Sequence, residues 1–352
     1  MSVQISENEL NMAASAIGID LMGIAPEAEL NHEEIARLRL WQESGYAGEM
    51  SYLQRDPAER GEPTRFVPGT TTILTFAVPY RALAKQALQL GFGRIARYAL
   101  GKDYHRVIKK RLQKLKETFT DSEELIWRPV ADSFPILERA YAQRAGIGFI
   151  GKNTMLIREK IGSFFFLGEV LTNINVVQKS NRLATIDTQC GSCQKCIQDC
   201  PTEAFVQPYT MDARKCISYL TIEKRGKFTE WESKAVAEWL FGCDICQEVC
   251  PFNHTRLKGD HIPIWEEFDG NHSQLDLKPL FYLRTEEEFR DHFKGRAILR
   301  AGREGLLRNA LAVLRNTKAH STFLEIGDLA LSDESSYIRE DALFTDGYLK
   351  SV

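Results

Sequence analysis

Eight cysteines, all between positions 190 and 250, constrain this 352-residue chain more than any other feature. The first run, Cys190-x2-Cys193-x2-Cys196-x3-Cys200-Pro201, has the ligand spacing of bacterial 4Fe-4S clusters, in which the fourth cysteine reaches over to a neighbouring cluster. A second run, Cys243-x2-Cys246-x3-Cys250-Pro251, lacks one cysteine, and Cys216 in the intervening segment supplies it. Two such clusters need eight thiolates, and none is left over. Each tight loop wraps three corners of a cube, while the cysteine before proline is carried off on the following chain. Cys190, Cys193 and Cys196 are therefore expected to share one cluster with Cys250, and Cys216, Cys243 and Cys246 the other with Cys200. Structural zinc is the alternative for paired C-x2-C units, but the repeated x3-Cys-Pro ending has no purpose in a zinc ribbon. Disulfides rank lower in a chain expected to stay in the cytoplasm. Residues 1–20 hold Glu7 and Glu9 without a basic stretch leading into an apolar run, so no secretory signal is expected, and no segment offers the ~18 apolar residues of a membrane span.

The length accommodates two or three domains, and 43% hydrophobic with 26% charged residues is ordinary globular composition. Residues 1–180 alternate helical and strand-like patterns and are expected to form an α/β or α+β domain. Ser6 can cap a helix carrying Leu10, Ala13, Ala14 and Ile17, with Gly18 ending it. Positions 72–80, 125–130 and 162–173 read as strands, and Ile108, Leu112, Leu115 and Phe119 form one helical stripe. The strand at 125–130 delivers Asp132 into a loop, with a helix expected at 137–145. Gly146, Gly148 and Gly151 suit close approach of the backbone to a ligand, although no dinucleotide fingerprint is present. Residues 181–262 form a ferredoxin-like two-cluster domain. Residues 263–352 read as a small appendage of paired helices, HEAT-like, with stripes at Leu306, Ala310, Val313 and Leu314 and at 323–331, and a third helix starting near Ser335.

A net charge of -3 gives no global sign of a nucleic-acid partner. Two local runs do carry basic charge: Arg106, Lys109, Lys110, Arg111, Lys114 and Lys116, then Lys294, Arg296, Arg300, Arg303, Arg308 and Arg315. They read either as solvated helix faces or as a footprint for a phosphate backbone. Some 180 residues ahead of the cysteines exceed what an electron carrier needs, and suggest a bound substrate or second cofactor.

Several segments together resemble one family. Arg97-Tyr98-Ala99 with Gly101-Lys102-Asp103-Tyr104-His105, Asp132-Ser133 with Leu137-Glu138-Arg139-Ala140, the stretch from Gly146 to Thr154, and Gly162-Ser163-Phe164-Phe165-Phe166-Leu167-Gly168-Glu169 look like epoxyqueuosine reductase, as does the order of the cysteines. Ser133 stands where threonine is usual and Phe149 where tryptophan is, and neither change removes a group the reaction needs. The resemblance implies an N-terminal cobalamin-binding domain and an oxidoreductase that converts epoxyqueuosine to queuosine at the wobble position of tRNA. It implies electrons passing through both clusters to cobalamin, which would lie between the first domain and the ferredoxin-like unit. Asp103-Tyr104-His105 begins like the D-x-H-x-x-G corrinoid motif, but Ile108 replaces its glycine, so no histidine ligand to cobalt is expected. By the same resemblance Asp132 is the proton donor, the alternative being a helix N-cap. Tyr104 and His105 would shape the substrate pocket, while Arg55, Arg97, Asp132, Asn153, Ser163, Ser218 and Asp244 would surround the corrin. The basic runs would then grip the anticodon stem-loop. A flavodoxin or ferredoxin is the expected electron donor and a monomer the expected state. A corrinoid reductive dehalogenase, whose twin-arginine signal is not seen here, and a plain electron carrier are the competing readings.

Overall fold

A computed structural model describes residues 4–25, 30, 32–82, 85–118, 124–177, 189–254, 263–270 and 272–351. Phe119, part of the expected helical stripe, lies outside them. The architecture is mixed α/β, built on a four-stranded antiparallel sheet in the order Leu21–Ala25, Thr72–Pro79, Phe165–Thr172, Trp127–Val130. The central strands are buried on both faces, which their runs of β-branched and aromatic residues permit.

Helix Tyr104–Lys116 covers one face through Ile108, Leu112 and Leu115, which pack with Leu74, Phe76, Phe166 and Val170. Gly168 makes that approach possible, since a Cβ there would collide with Ile108. Helix Glu138–Arg144 covers the opposite face, where Tyr141 packs with Ile73, Val130 and Leu171. The two helices thus meet the sheet from opposite sides, and the loop leaving Val130 runs between their first turns. Helix Glu7–Ala16 starts at Ser6, whose hydroxyl accepts from the Glu9 N–H in a capping box, as the sequence suggests. Gly18, at φ +79°, follows its end.

A second sheet ties distant parts of the chain together. Strand Phe92–Ile95 lies between Trp239–Phe241, parallel to it, and Gln274–Asp276, antiparallel. Behind it, helix Gly302–Asn316 is buried on nearly every side. The expected detached appendage with one apolar stripe is therefore corrected. This helix is an internal strut, and its polar residues have internal partners. Arg308 donates to the carbonyls of Leu220, Lys224 and Gly226, at 3.0, 3.0 and 2.8 Å, and Asn309 donates to those of Thr221 and Leu240, at 2.8 and 2.9 Å. Helices His320–Leu331 and Ser336–Ser351 pack outside it. Among the described residues no helix is long and apolar enough to cross a membrane.

Candidate functional site

The eight cysteines are free of disulfides and gather around two short, mutually packed helices, Lys195–Gln198 and Ile245–Glu248. Charge contacts divide them into two groups. Cys196 feels Cys250, Cys190 and Cys193, whereas Cys216 feels Cys200, and Cys243 feels Cys216 and Cys246. Cys246 senses Cys196 as well as its own group, so the two groups are neighbours. Burial, reinforced by neighbouring sulfurs, pushes the Cys243 and Cys246 thiols well up and Cys196 to about 11. Backbone N–H groups oppose it, those of Ser218 and Tyr219 at Cys216 and of Phe252 and Asn253 at Cys250. Soft sulfur donors in fours, with amides aimed at them, fit cubic iron–sulfur clusters, whose positive iron keeps the ligating thiols deprotonated.

Cys200, Cys216, Cys243 and Cys246 border an open cavity of about 1960 Å³, and the other four cysteines do not. The same cavity is bordered by Tyr104, His105, Asp132 and Glu138. Asp132 follows the end of strand Trp127–Val130 at φ +53°, a strained region for any residue but glycine, though one that aspartate tolerates better than most. Its N–H donates to Glu138 Oε1, which holds the turn. The N-cap position of helix Glu138–Arg144 is Leu137, so Asp132 is not the cap of that helix. Its carboxylate, at the border of the cavity, lies 2.9 Å from His105 Nε2. His105 Nδ1 is 2.6 Å from Asp103 Oδ1. Asp103 also caps helix Tyr104–Lys116 through the His105 N–H, so the helix start sets the imidazole's position.

The electrostatics follow from this geometry. Burial works against a charged His105, but hydrogen bonds to Asp103 and Asp132 and both negative charges raise it to about 9, so the ring is an imidazolium at neutral pH. Burial pushes Asp132 up, yet His105, with Tyr104 and Arg300 behind it, outweighs this and holds the carboxyl below its usual range. Tyr104 stacks on His105 at 4.0 Å and on Phe166 at 4.3 Å, which makes the wall rigid.

Arg55, Asn153, Ser163, Ser218 and Asp244 also border the cavity. Arg97 does not: its Nη1 donates to Asp244 Oδ2 at 2.8 Å and to Glu248 Oε1 at 2.7 Å, so it positions Asp244 from behind. Asp244 Oδ1 remains a buried oxygen without a hydrogen-bond partner. Asn153 donates to the Cys246 carbonyl at 3.2 Å, and Ser163 Oγ donates to Gln247 Oε1 at 2.9 Å, so both anchor the cysteine-bearing helix. The glycine loop borders the cavity through Ile150, Asn153 and Thr154, and two of its glycines serve chain packing. A Cβ at Gly148 would collide with the Ile157 carbonyl and one at Gly151 with the Ile157 side chain, so these glycines admit neighbouring chain. The second basic run is corrected in part. Arg303 pairs with Asp333, Arg315 pairs with Asp341, and Arg308 is enclosed, leaving Lys294, Arg296 and Arg300 exposed.

Sequence reasoning gave no role to Glu169, which is 0% exposed at mid-strand, with no N–H or hydroxyl donor to its carboxyl and the Glu138 carboxyl within hydrogen-bonding reach. An acid within a run of buried apolar positions was the available signal.

Two family models match the chain: "4Fe-4S double cluster binding domain" over residues 189–253 and "Epoxyqueuosine reductase QueG" over residues 60–133. The chain is 38% identical to the epoxyqueuosine reductase of Pseudomonas aeruginosa over 332 residues, covering 92% of this chain and 89% of that protein. It is 35% identical to that of Escherichia coli over 340 residues, covering 92% and 86%. It is also similar to the crystal structure of an epoxyqueuosine reductase with an epoxyqueuosine-modified tRNA-Tyr stem loop, with TM-score 0.86, 30% identity and coverage of 97% and 90%. The epoxyqueuosine reductase from Bacillus subtilis, solved with its aspartate-bearing catalytic loop swung out of the active site, gives TM-score 0.83, 30% identity and the same coverage.

Proposed function

The chain belongs to the epoxyqueuosine reductase family of oxidoreductases, and on that premise we propose that it reduces epoxyqueuosine to queuosine at the wobble position of tRNA. The observation that carries this reading is the shared cavity, bordered both by one group of four cysteines and by the Asp132–His105 pair. Loss of the epoxide oxygen as water consumes two electrons and two protons. The clusters deliver the electrons singly. Cys190, Cys193, Cys196 and Cys250 would hold the outer cluster, and Cys200, Cys216, Cys243 and Cys246 the one beside the cavity.

Cobalamin fits this cavity. The volume exceeds the roughly 300–1,000 Å³ of drug-sized sites, and the orphaned Asp244 Oδ1 offers an acceptor beside the sulfurs. Arg55, Asn153, Ser163, Ser218 and Asp244 would hold it, with Arg97 fixing Asp244. When bound it would supply a cobalt centre able to give two electrons to the substrate.

Asp132 acts as the donor to the departing oxygen, with His105 as the source of its proton. The imidazolium hands its Nε2 proton to Oδ2 as negative charge develops on the oxygen, so donor and source form one unit. Tyr104 orients the imidazole by stacking. The exposed cations of the first basic run, with Lys294, Arg296 and Arg300, would bind the stem-loop backbone, and the extruded base would be read in the cavity. Helices His320–Leu331 and Ser336–Ser351 form the HEAT-like part of the 263–352 region, beyond the 1–180 and 181–262 domains. A monomer in the cytoplasm, reduced by a flavodoxin or ferredoxin, completes the reading.

The test is mass analysis of an epoxyqueuosine stem-loop after anaerobic turnover by Asp132→Asn. Clusters and stem-loop affinity should persist while turnover falls by about 100- to 10,000-fold. Wild-type turnover by the variant would remove Asp132 from the reaction.

A further inference from the structure

The reaction needs two protons per turnover, and a single carboxyl delivers one. Both C–O bonds of the epoxide break, a C=C bond forms, two electrons arrive from the clusters, and the oxygen leaves as water. The Asp132–His105 unit must therefore be recharged, or a second store must lie within reach.

Beneath Asp132, on the face of the sheet opposite helix Tyr104–Lys116, lie two further carboxyls. Glu169 sits on strand Phe165–Thr172 in register with Thr75 on one side and Val130 on the other. No N–H or hydroxyl donates to its two buried oxygens, the Thr75 hydroxyl is likewise unpartnered, and the Glu138 carboxyl lies within hydrogen-bonding reach of Glu169, a contact that requires a proton between the two acids. Glu138 opens the helix packed over that face, accepts the Asp132 N–H, and borders the cavity. We propose that Glu138 and Glu169 form a buried proton store that recharges Asp132 during turnover, Glu138 passing the proton to the Asp132 carboxyl through cavity water and Glu169 replenishing Glu138.

The surroundings favour a neutral pair. Burial raises Glu138, to about 8, and the charge of Asp132 adds to this. Burial also raises Glu169 well above the usual carboxylate range, with Glu138 and then Asp132 as the neighbouring charges. Arg139, on the same helix as Glu138, is the one cation that acts in the opposite sense among the leading contributions. Thr75 contributes no charge, and His105 approaches from the far face and is engaged by Asp103 and Asp132. Two carboxyls that cannot both ionise hold at least one proton between them at neutral pH. A purely structural role for Glu138, holding the Asp132 turn, needs only its acceptor oxygen, which glutamine also has.

The inference rests on Asp132 as donor. Its test uses the reconstituted holoenzyme with the modified stem-loop, and compares wild type, Glu138→Gln and Glu169→Gln across pH 6 to 10. Wild-type turnover should fall in two steps, near 8 as the pair loses its proton and near 9 as His105 does. Each glutamine variant should turn over about 10- to 100-fold more slowly, at the low end of what a positioned acid contributes, and Glu138→Gln should lack the step near 8. Glu169→Asp should restore part of the turnover. In parallel, infrared spectra of resting wild type at pH 7 should show a protonated-carboxyl C=O band that Glu169→Gln diminishes. Glutamine variants with wild-type turnover, a Glu138→Gln variant with the wild-type pH profile, or a wild type whose band is the same in Glu169→Gln, would overturn the proposal. If Glu169→Gln does not fold, Glu138→Gln decides by the same two readouts. If Asp132→Asn turns over normally, the donor reading fails, whereas slow Asp132→Asn with unaltered glutamine variants removes the proton store alone.

Discussion

His105 shows how one side chain can couple helix capping to chemistry. Asp103 caps the helix and also grips the imidazole, so the helix start places Nε2 against Asp132. Because His105 is raised in the folded protein, its contribution to stability is complete below the unfolded value near 6.5 and is lost as pH rises through about 9. Thermal unfolding of His105→Gln should therefore lack the decline that wild type shows between pH 6.5 and 9.5, and an identical decline would contradict the ion pairs. The buried acids share this pH dependence, but their burial is destabilising at neutral pH. Glu169 is raised, so the folded state binds the extra proton above pH 4.5, and stability drains away as pH climbs. Glu169→Gln should be at least as stable as wild type at pH 8, with each kcal/mol regained adding about 2–4 °C to the midpoint. A markedly less stable variant would mean that Glu169 serves packing.

At the scale of elements, the local structure was readable and the long-range pairing was not. Helices Glu7–Ala16 and Tyr104–Lys116 and strands Thr72–Pro79 and Phe165–Thr172 lie where periodicity and capping residues put them. Strand Phe92–Ile95 has only four residues, and its partners lie more than 140 positions away at 239–241 and 274–276, a contact that no local pattern encodes. The same holds for helix Gly302–Asn316, whose arginines read as solvated or phosphate-binding because the carbonyls they satisfy belong to distant loops. Arg308→Leu should cost about 1–3 kcal/mol or more in unfolding free energy, the range for leaving a buried acceptor unsatisfied, since it strips the Leu220, Lys224 and Gly226 carbonyls of their donor. A neutral change would return this arginine to the surface reading. The cysteine-bearing segment is seated by Gly162, at φ +79°, where a Cβ would collide with the Asn253 side chain that bonds Ser163. Gly162→Ala should accordingly destabilise the protein by about 2 kcal/mol or more through strain and lost hydrogen bonds, a loss that denaturant titration would register.

Across the whole molecule, the proposed function rests on the contact between a sheet domain that would supply protons and a cysteine-bearing segment that would supply electrons. The cysteine spacing implied two groups of four, and the cavity adds an asymmetry that spacing cannot carry, since only one group borders it. Binding of the stem-loop through exposed cations should weaken steeply with salt. Fluorescence titration at two salt concentrations should show this for wild type, with a shallower slope for Lys110→Ala; equal affinity at both would remove the phosphate contacts. The most direct measurement concerns the cavity-side cluster. Cys216→Ala, purified anaerobically and reconstituted, should retain the outer cluster, with iron falling from about eight to about four per chain, and should leave the epoxyqueuosine stem-loop unreduced in mass analysis. Wild-type deoxygenation by a Cys216→Ala protein that carries only the outer cluster would contradict the account.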